Sequence, residues 1–106
     1  MAKYLVRANY TVDGIKGVIK EGGSGRREAV SKLANSLGGS LESFYFAFGE
    51  TDVFVIVDLP SPEAAAAISL AVGSAGGAGT TTTVLLTPEQ MDEARTLTPD
   101  YRAPGR

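Results

Sequence analysis

From Lys3 to Tyr10 the side chains alternate, with Tyr4, Val6, Ala8 and Tyr10 on one side and Leu5, Arg7 and Asn9 on the other. That two-residue period predicts a strand. Thr11 and Asp13 are polar starters for a short helix that gathers Ile15, Val18 and Ile19 on one face. "EGGSG", Glu21 to Gly25, breaks it, and a second helical piece follows in which Val30, Leu33, Ala34 and Leu37 keep the i, i+3, i+4, i+7 spacing. Gly38 and Gly39 stop that piece as C-cap residues.

The stretch "FYFAFGETDVFVIVDL", Phe44 to Leu59, reads as two strands joined by a tight turn at Glu50 and Thr51. One face then carries Phe44, Phe46, Phe48, Val53, Val55 and Val57; the other carries Ser43, Tyr45, Ala47, Phe54, Ile56 and Asp58. A helix begins at "SPEAAAAISLAV", with Ser61 as N-cap, Pro62 at the first helical position and Glu63 in the first turn. The glycine-rich run Gly73 to Gly79 ends it, and the β-branched "TTTTVLLT", Thr80 to Thr87, predicts a fourth strand. "TPEQ" at Thr87 to Gln90 has the capping-box pattern and opens a last helix.

Strand, helix, strand, strand, helix, strand is the ferredoxin-like βαββαβ arrangement: an α+β fold with a four-stranded antiparallel sheet, helices on one face and a short C-terminal helix added. The length suits one domain, placed at residues 1–97, with a polar tail at 98–106.

Helices cover one face of such a sheet, and here the other face is apolar too: Leu5, Tyr45, Ala47, Phe54, Ile56 and one set from Val84, Leu85 and Leu86. A patch of that kind approaches or exceeds what a monomer ordinarily leaves bare. Face-to-face packing with a second copy is the economical cover, so a homodimer or higher homo-oligomer is expected. Arg7 and Asn9 on the same face do not suit a dry interface. Either Arg7 pairs with Asp58, Glu42 or a carboxylate of a second copy, or it floors a pocket. In the second case Arg7, Asn9, Tyr45, Phe54, Ile56 and Asp58 are the candidate ligand-binding residues for a small, partly apolar molecule.

Composition narrows the chemistry. With no cysteine and no histidine, disulfides, the usual zinc ligands and the usual nucleophile–base pairs are all missing. No metal and no cofactor is expected, and acid–base work would fall to Asp, Glu, Lys or Tyr. A net charge of -2, no RNA-recognition strand motif and no long apolar run argue against nucleic-acid and membrane partners. A cytoplasmic protein is the expectation. "GGSGRRE", Gly22 to Glu28, lacks the Lys-Ser/Thr of a phosphate-binding loop and reads as a flexible joint.

With the elements in this order, "YLVRANYTVDGIKGVIKEGG", "RREAV", "LGGSLESFYFAFGETDVFVIVDLP" and "TTTTVLLTPEQ" together resemble the GYD domain family. The family's motif falls at Gly49 to Asp52; glycine and aspartate match, and Thr51 stands where the family usually has tyrosine. Nothing that depends on that ring carries over. The resemblance implies a dimeric α/β barrel of ferredoxin-like subunits and no particular reaction. Gly49 and Asp52 have a plain reading as turn residues, the glycine for positive φ and the carboxylate as an acceptor of backbone N–H groups. Three kinds of function fit these residues: a homo-oligomeric binder of a small molecule, which the sequence favours; a cofactor-free small-barrel enzyme of oxygenase or isomerase type; and a purely structural interaction module.

Overall fold

The alternating N-terminal segment forms β1 (Ala2–Tyr10), and a computed structural model, which describes residues 1–106, orders the rest as α1 (Val12–Glu21), α2 (Gly23–Ser36), β2 (Ser40–Phe46), β3 (Val53–Leu59), α3 (Pro62–Ala75), β4 (Ala78–Leu85) and α4 (Pro88–Ala94). The strands make one antiparallel sheet in the order β2-β3-β1-β4, the ferredoxin-like topology expected from the sequence. Val6 pairs with Val55 and Thr82, and Phe44 with Val55, so the inward alternation of four strands coincides.

That inward face supplies Tyr4, Val6, Val53, Val55, Val57 and Leu59 to the core, and α2 and α3 close it with Ala34, Ala64, Ala65 and Ile68. Alanines at the contact let α3 lie close to the sheet. The Ser61 hydroxyl accepts from the Ala64 N–H and Pro62 occupies the first turn, so the helix starts where the local signals place it. Gly76, at φ 81°, ends it.

Two local expectations change. The break between α1 and α2 is a single residue, Gly22 at φ 83°, because α2 resumes at Gly23. The β2–β3 connection is longer than a two-residue turn. Phe46 pairs with Val53, the Ala47 N–H donates to the Asp52 carbonyl at 2.8 Å, and Phe48 to Thr51 form the loop. Glu-Thr does not supply the positive φ values of a two-residue hairpin turn. The shift is by two residues, so the faces keep their composition, but Phe48 leaves the core face and stands fully exposed at the loop tip.

The apolar face of α1 is also left open. Ile15 and Ile19 are exposed and, with Phe46 and Phe48, line a surface groove. At the other end of the chain, every residue from Pro88 to Arg102 is exposed, although α4 is fully capped by the reciprocal Thr87–Gln90 bonds. The radius of gyration is 16.7 Å, against about 13 Å for a compact chain of this size. The C-terminal segment therefore projects from the body of the domain.

Candidate functional site

Two regions of the molecule have the makings of a site, one on each side of the sheet. On the helix-free side, strand pairing sets Tyr45, Phe54, Arg7 and Thr81 in one row across the four strands, with Ser43, Ile56, Leu5 and Thr83 in the next. Tyr45 is 70% exposed and Phe54 37%. Leu85, paired with Lys3, is the apolar β4 residue that joins this face; Val84 pairs with Tyr4 and points to the helix side.

The polar residues predicted here are distributed differently from the expectation. Lys3, not Arg7, takes the carboxylates: its Nζ lies 2.7 Å from Glu42 Oε1 and 3.1 Å from Asp58 Oδ1. Lys3 sits directly opposite Asp58 across β1–β3, whereas Arg7 is four residues along the strand and opposite Phe54. The hydrogen bond that Lys3 donates to Glu42, then the one it donates to Asp58, hold the ammonium above its ordinary range. Whatever this triad contributes is in place below the ordinary lysine value and is lost as pH rises through the elevated one. Arg7 is exposed and makes no ion pair within the chain, so neither Asp58 nor Glu42, expected as its partners, pairs with it.

Asn9 and Asp52 act on each other's strands. The Asn9 side-chain carbonyl accepts the Asp52 N–H at 3.0 Å, and the Asp52 carboxylate accepts the Tyr10 N–H at 2.9 Å. Asp52 thus does the backbone work expected of it, across strands rather than within its own turn. Gly49 does not take the role assigned to it: its φ is not positive, and a Cβ there would meet nothing within 4 Å. Asp52→Ala is expected to cost about 1–3 kcal/mol in chemical denaturation, with Asp52→Asn recovering part of it through the retained acceptor. Equal losses in both variants would mean that the carboxamide oxygen cannot stand in for the carboxylate.

On the helix side, a cleft of about 340 Å³ opens between α1, α2, α3 and the start of β4. Tyr10, Gly14, Gly17, Glu21 and Arg26 line it, together with Leu33, Val72 and neighbouring small residues. Beneath it an apolar void of about 60 Å³ reaches into the core among Val6, Phe44, Val55 and Ile68. The two share Tyr10, Arg26, Leu33, Val72 and Ala78 as a common wall. Arg26 Nη1 donates to Glu21 Oε1 at 3.1 Å, but its Nε–H is enclosed and donates to no protein acceptor. An enclosed donor left so costs about 1–3 kcal/mol. Burial pushes the Tyr10 phenol above its ordinary range; the nearby Arg26 guanidinium acts in the opposite direction without overcoming it. The ring therefore stays neutral at physiological pH and keeps its O–H.

The cleft does not follow from the periodicity of the chain. Arg26 lies in the segment read as a flexible joint, and only the folding of α1 back against α2 brings it to Tyr10 and Glu21. The local signal was Gly14 and Gly17, three residues apart on an otherwise well-formed amphipathic helix. Glycine weakens a helix interior, so a pair on one face marks a close approach or an opening. Gly14 is the approach and Gly17 the opening.

The GYD domain model matches residues 4–94, and the chain belongs to that family. No curated protein and no solved structure matches it. No helix is long and apolar enough to cross a membrane.

Proposed function

We propose that this GYD domain protein works as a homodimer whose two helix-free sheet faces pack together and hold a small, partly apolar molecule between them. The observation that carries the reading is the side-by-side exposure of Tyr45 and Phe54 beside Leu5 and Ile56 on a face with no covering layer. Four strands about 4.8 Å apart and seven residues of about 3.3 Å rise make a face of roughly 20 by 23 Å. Pairing two such faces buries on the order of 1,000 Å², the lower end for a specific interface. The projecting C-terminal segment adds to it: Leu86, Met91, Leu97 and Tyr101 are apolar and exposed, and Tyr101 is the large ring in a tail that wraps the second copy. Arg7, unpaired within its own chain, keeps part of the junction polar and faces the bound molecule or a carboxylate of the second copy.

Native mass spectrometry of the protein purified from cells, compared with the same sample denatured, tests this directly. A dimer carrying releasable mass is expected. Tyr45→Ala and Phe54→Ala should each weaken dimerisation by about tenfold or more, since central aromatics dominate such interfaces, whereas Glu50→Ala at the loop tip should not. A bare monomer at micromolar concentration, or equal behaviour of all three variants, would remove the open face from the reading.

A further inference from the structure

The apolar groove beside α1 has no cover within the chain, and the projecting C-terminal segment has no seat within it. We propose that the two belong together across two copies: the segment from Leu86 to Tyr101 of each copy lies in the α1 groove of the other. The inference rests on the homodimer reading above, but not on what the two sheet faces hold between them.

The groove, of about 430 Å³, runs between α1 and the end of the β2–β3 connection, with Ile15, Ile19, Phe46 and Phe48 as its apolar wall. Ile19 is 79% exposed and Phe48 fully so. The loop that carries Phe48 is tied at its base. The Ala47 N–H donates to the Asp52 carbonyl at 2.8 Å, and the Asp52 N–H is shared by the Ala8 carbonyl and the Asn9 side chain, each at 3.0 Å. A large ring held in water by a fixed loop stabilises nothing in its own chain. It is suited to anchor an interface, because little remains to be ordered on binding.

Charge points to the occupant. Lys16 and Lys20 follow Ile15 and Ile19 along α1; both are exposed and make no ion pair within the chain. On α4, Glu89, Asp92 and Glu93 are likewise exposed and unpaired, with Met91 among them and Leu97 just beyond. An apolar strip bordered by carboxylates thus meets an apolar strip bordered by ammonium groups. The other occupant such a helix suits, an anionic lipid surface, would be repelled by Asp13 at the start of α1 and by Glu50 beside Phe48 at the loop tip.

Topology makes the contact one between copies. Leu85, where β4 ends, pairs with Lys3 at the start of β1, whereas the groove lies at Tyr10 and Phe46, at the other end of the sheet. The two ends are about 23 Å apart. The segment leads away from the body instead of returning along it, which gives the chain a long axis of 56 Å against 32 Å for the next. With two sheets packed face to face and their strands opposed, the start of β1 in one copy lies over the end of β1 in the other, about 10 Å away. Leu86 then emerges at the groove end of the second copy, and α4, about 10 Å long, crosses to it.

The test is zero-length coupling. Equal amounts of nitrogen-14 and nitrogen-15 protein are unfolded together, refolded and treated with a water-soluble carbodiimide, which joins amines to carboxylates in contact. Peptides linking Lys16 or Lys20 to Glu89, Asp92 or Glu93 and carrying both isotopes are expected. Lys3, 2.7 Å from Glu42 in the same chain, supplies the internal standard: its coupled peptides carry one isotope only. Phe48→Ser should lower the mixed-isotope coupling by about tenfold while the circular dichroism spectrum is unchanged, since the ring buries nothing in its own chain. Coupling of these residues with one isotope only, or none beside clear Lys3–Glu42 coupling, overturns the inference. In that event a dimer in native mass spectrometry leaves the sheet-face reading standing, and a monomer removes both. Phe48-dependent sedimentation with vesicles of phosphatidylcholine and phosphatidylserine, without mixed-isotope coupling, would also overturn it and give the groove to a lipid surface.

Discussion

Alanine at Gly14 is expected to destabilise the protein by about 3 kcal/mol, while alanine at Gly17, one turn further along the same helix, is expected to stabilise it by about 0.5–1 kcal/mol. The intrinsic gain in helix propensity is the same at both positions. What differs is the space. A Cβ at Gly14 would lie 1.9 Å from the Gly77 carbonyl oxygen and 2.9 Å from its carbon, and backbone cannot turn aside as a side-chain tip can. That carbonyl is also fixed in place, because it accepts the Thr11 N–H at 2.9 Å while the Thr11 hydroxyl donates to the Gly76 carbonyl at the same distance. Thr11 is in turn the N-cap of α1, accepting the Gly14 N–H. Forcing the helix outward therefore strains the cap, the α1–β4 junction and the cleft wall together. Urea denaturation of the two variants beside wild type decides the matter. Changes of the same sign at both glycines would mean that helix propensity alone governs α1 and that the close approach to Gly77 yields at little cost.

Most of the frame could be read from local signals, because the residues that set it act on their near neighbours. Ser61, Pro62 and Glu63 start α3, the Thr87–Gln90 box starts α4, and the alternation from Lys3 to Tyr10 marks a strand whichever neighbours it pairs with. Most of the misplacements involve partners fixed only by the fold. Lys3 and Arg7 are equivalent in the alternation; the β1–β3 register, which no local signal sets, gives Asp58 to Lys3 and Phe54 to Arg7. The loop from Phe48 to Thr51 depends on Asp52 being drawn to Tyr10 and Asn9 of another strand. Arg26, Glu21 and Tyr10 come from three elements, and their meeting needs the sharp reversal at Gly22. The open apolar face was legible because it follows from strand period alone; the cleft was not, because it follows from helix placement.

Leu59→Ala is expected to cost about 3–4 kcal/mol, a large share of the stability of an isolated chain. Leu59 is fully buried and is the largest side chain so enclosed. It stands at the end of β3 where the chain from α2 turns into β2, and its Cδ2 would be 2.9 Å from a Cβ at Gly39, so the backbone packs down onto it. Collapse of that backbone into the space left by alanine is opposed by the Gly39 N–H, which is held by the Ala34 carbonyl at 3.0 Å. The cavity term is therefore retained rather than relaxed. Only ten of the 106 residues are buried in the single chain, so the core that must absorb the loss is small, and domains of this size have about 5–15 kcal/mol in all. The same shortage makes a second expectation measurable in the same series. If a second copy covers the open face, the midpoint of unfolding rises with protein concentration by mass action, and Leu59→Ala, which leaves that face untouched, keeps the concentration dependence while shifting the whole curve down. A midpoint independent of concentration, with Leu59→Ala still costing the stated amount, would show that the ten-residue core suffices by itself and that the apolar face does not contribute to folding.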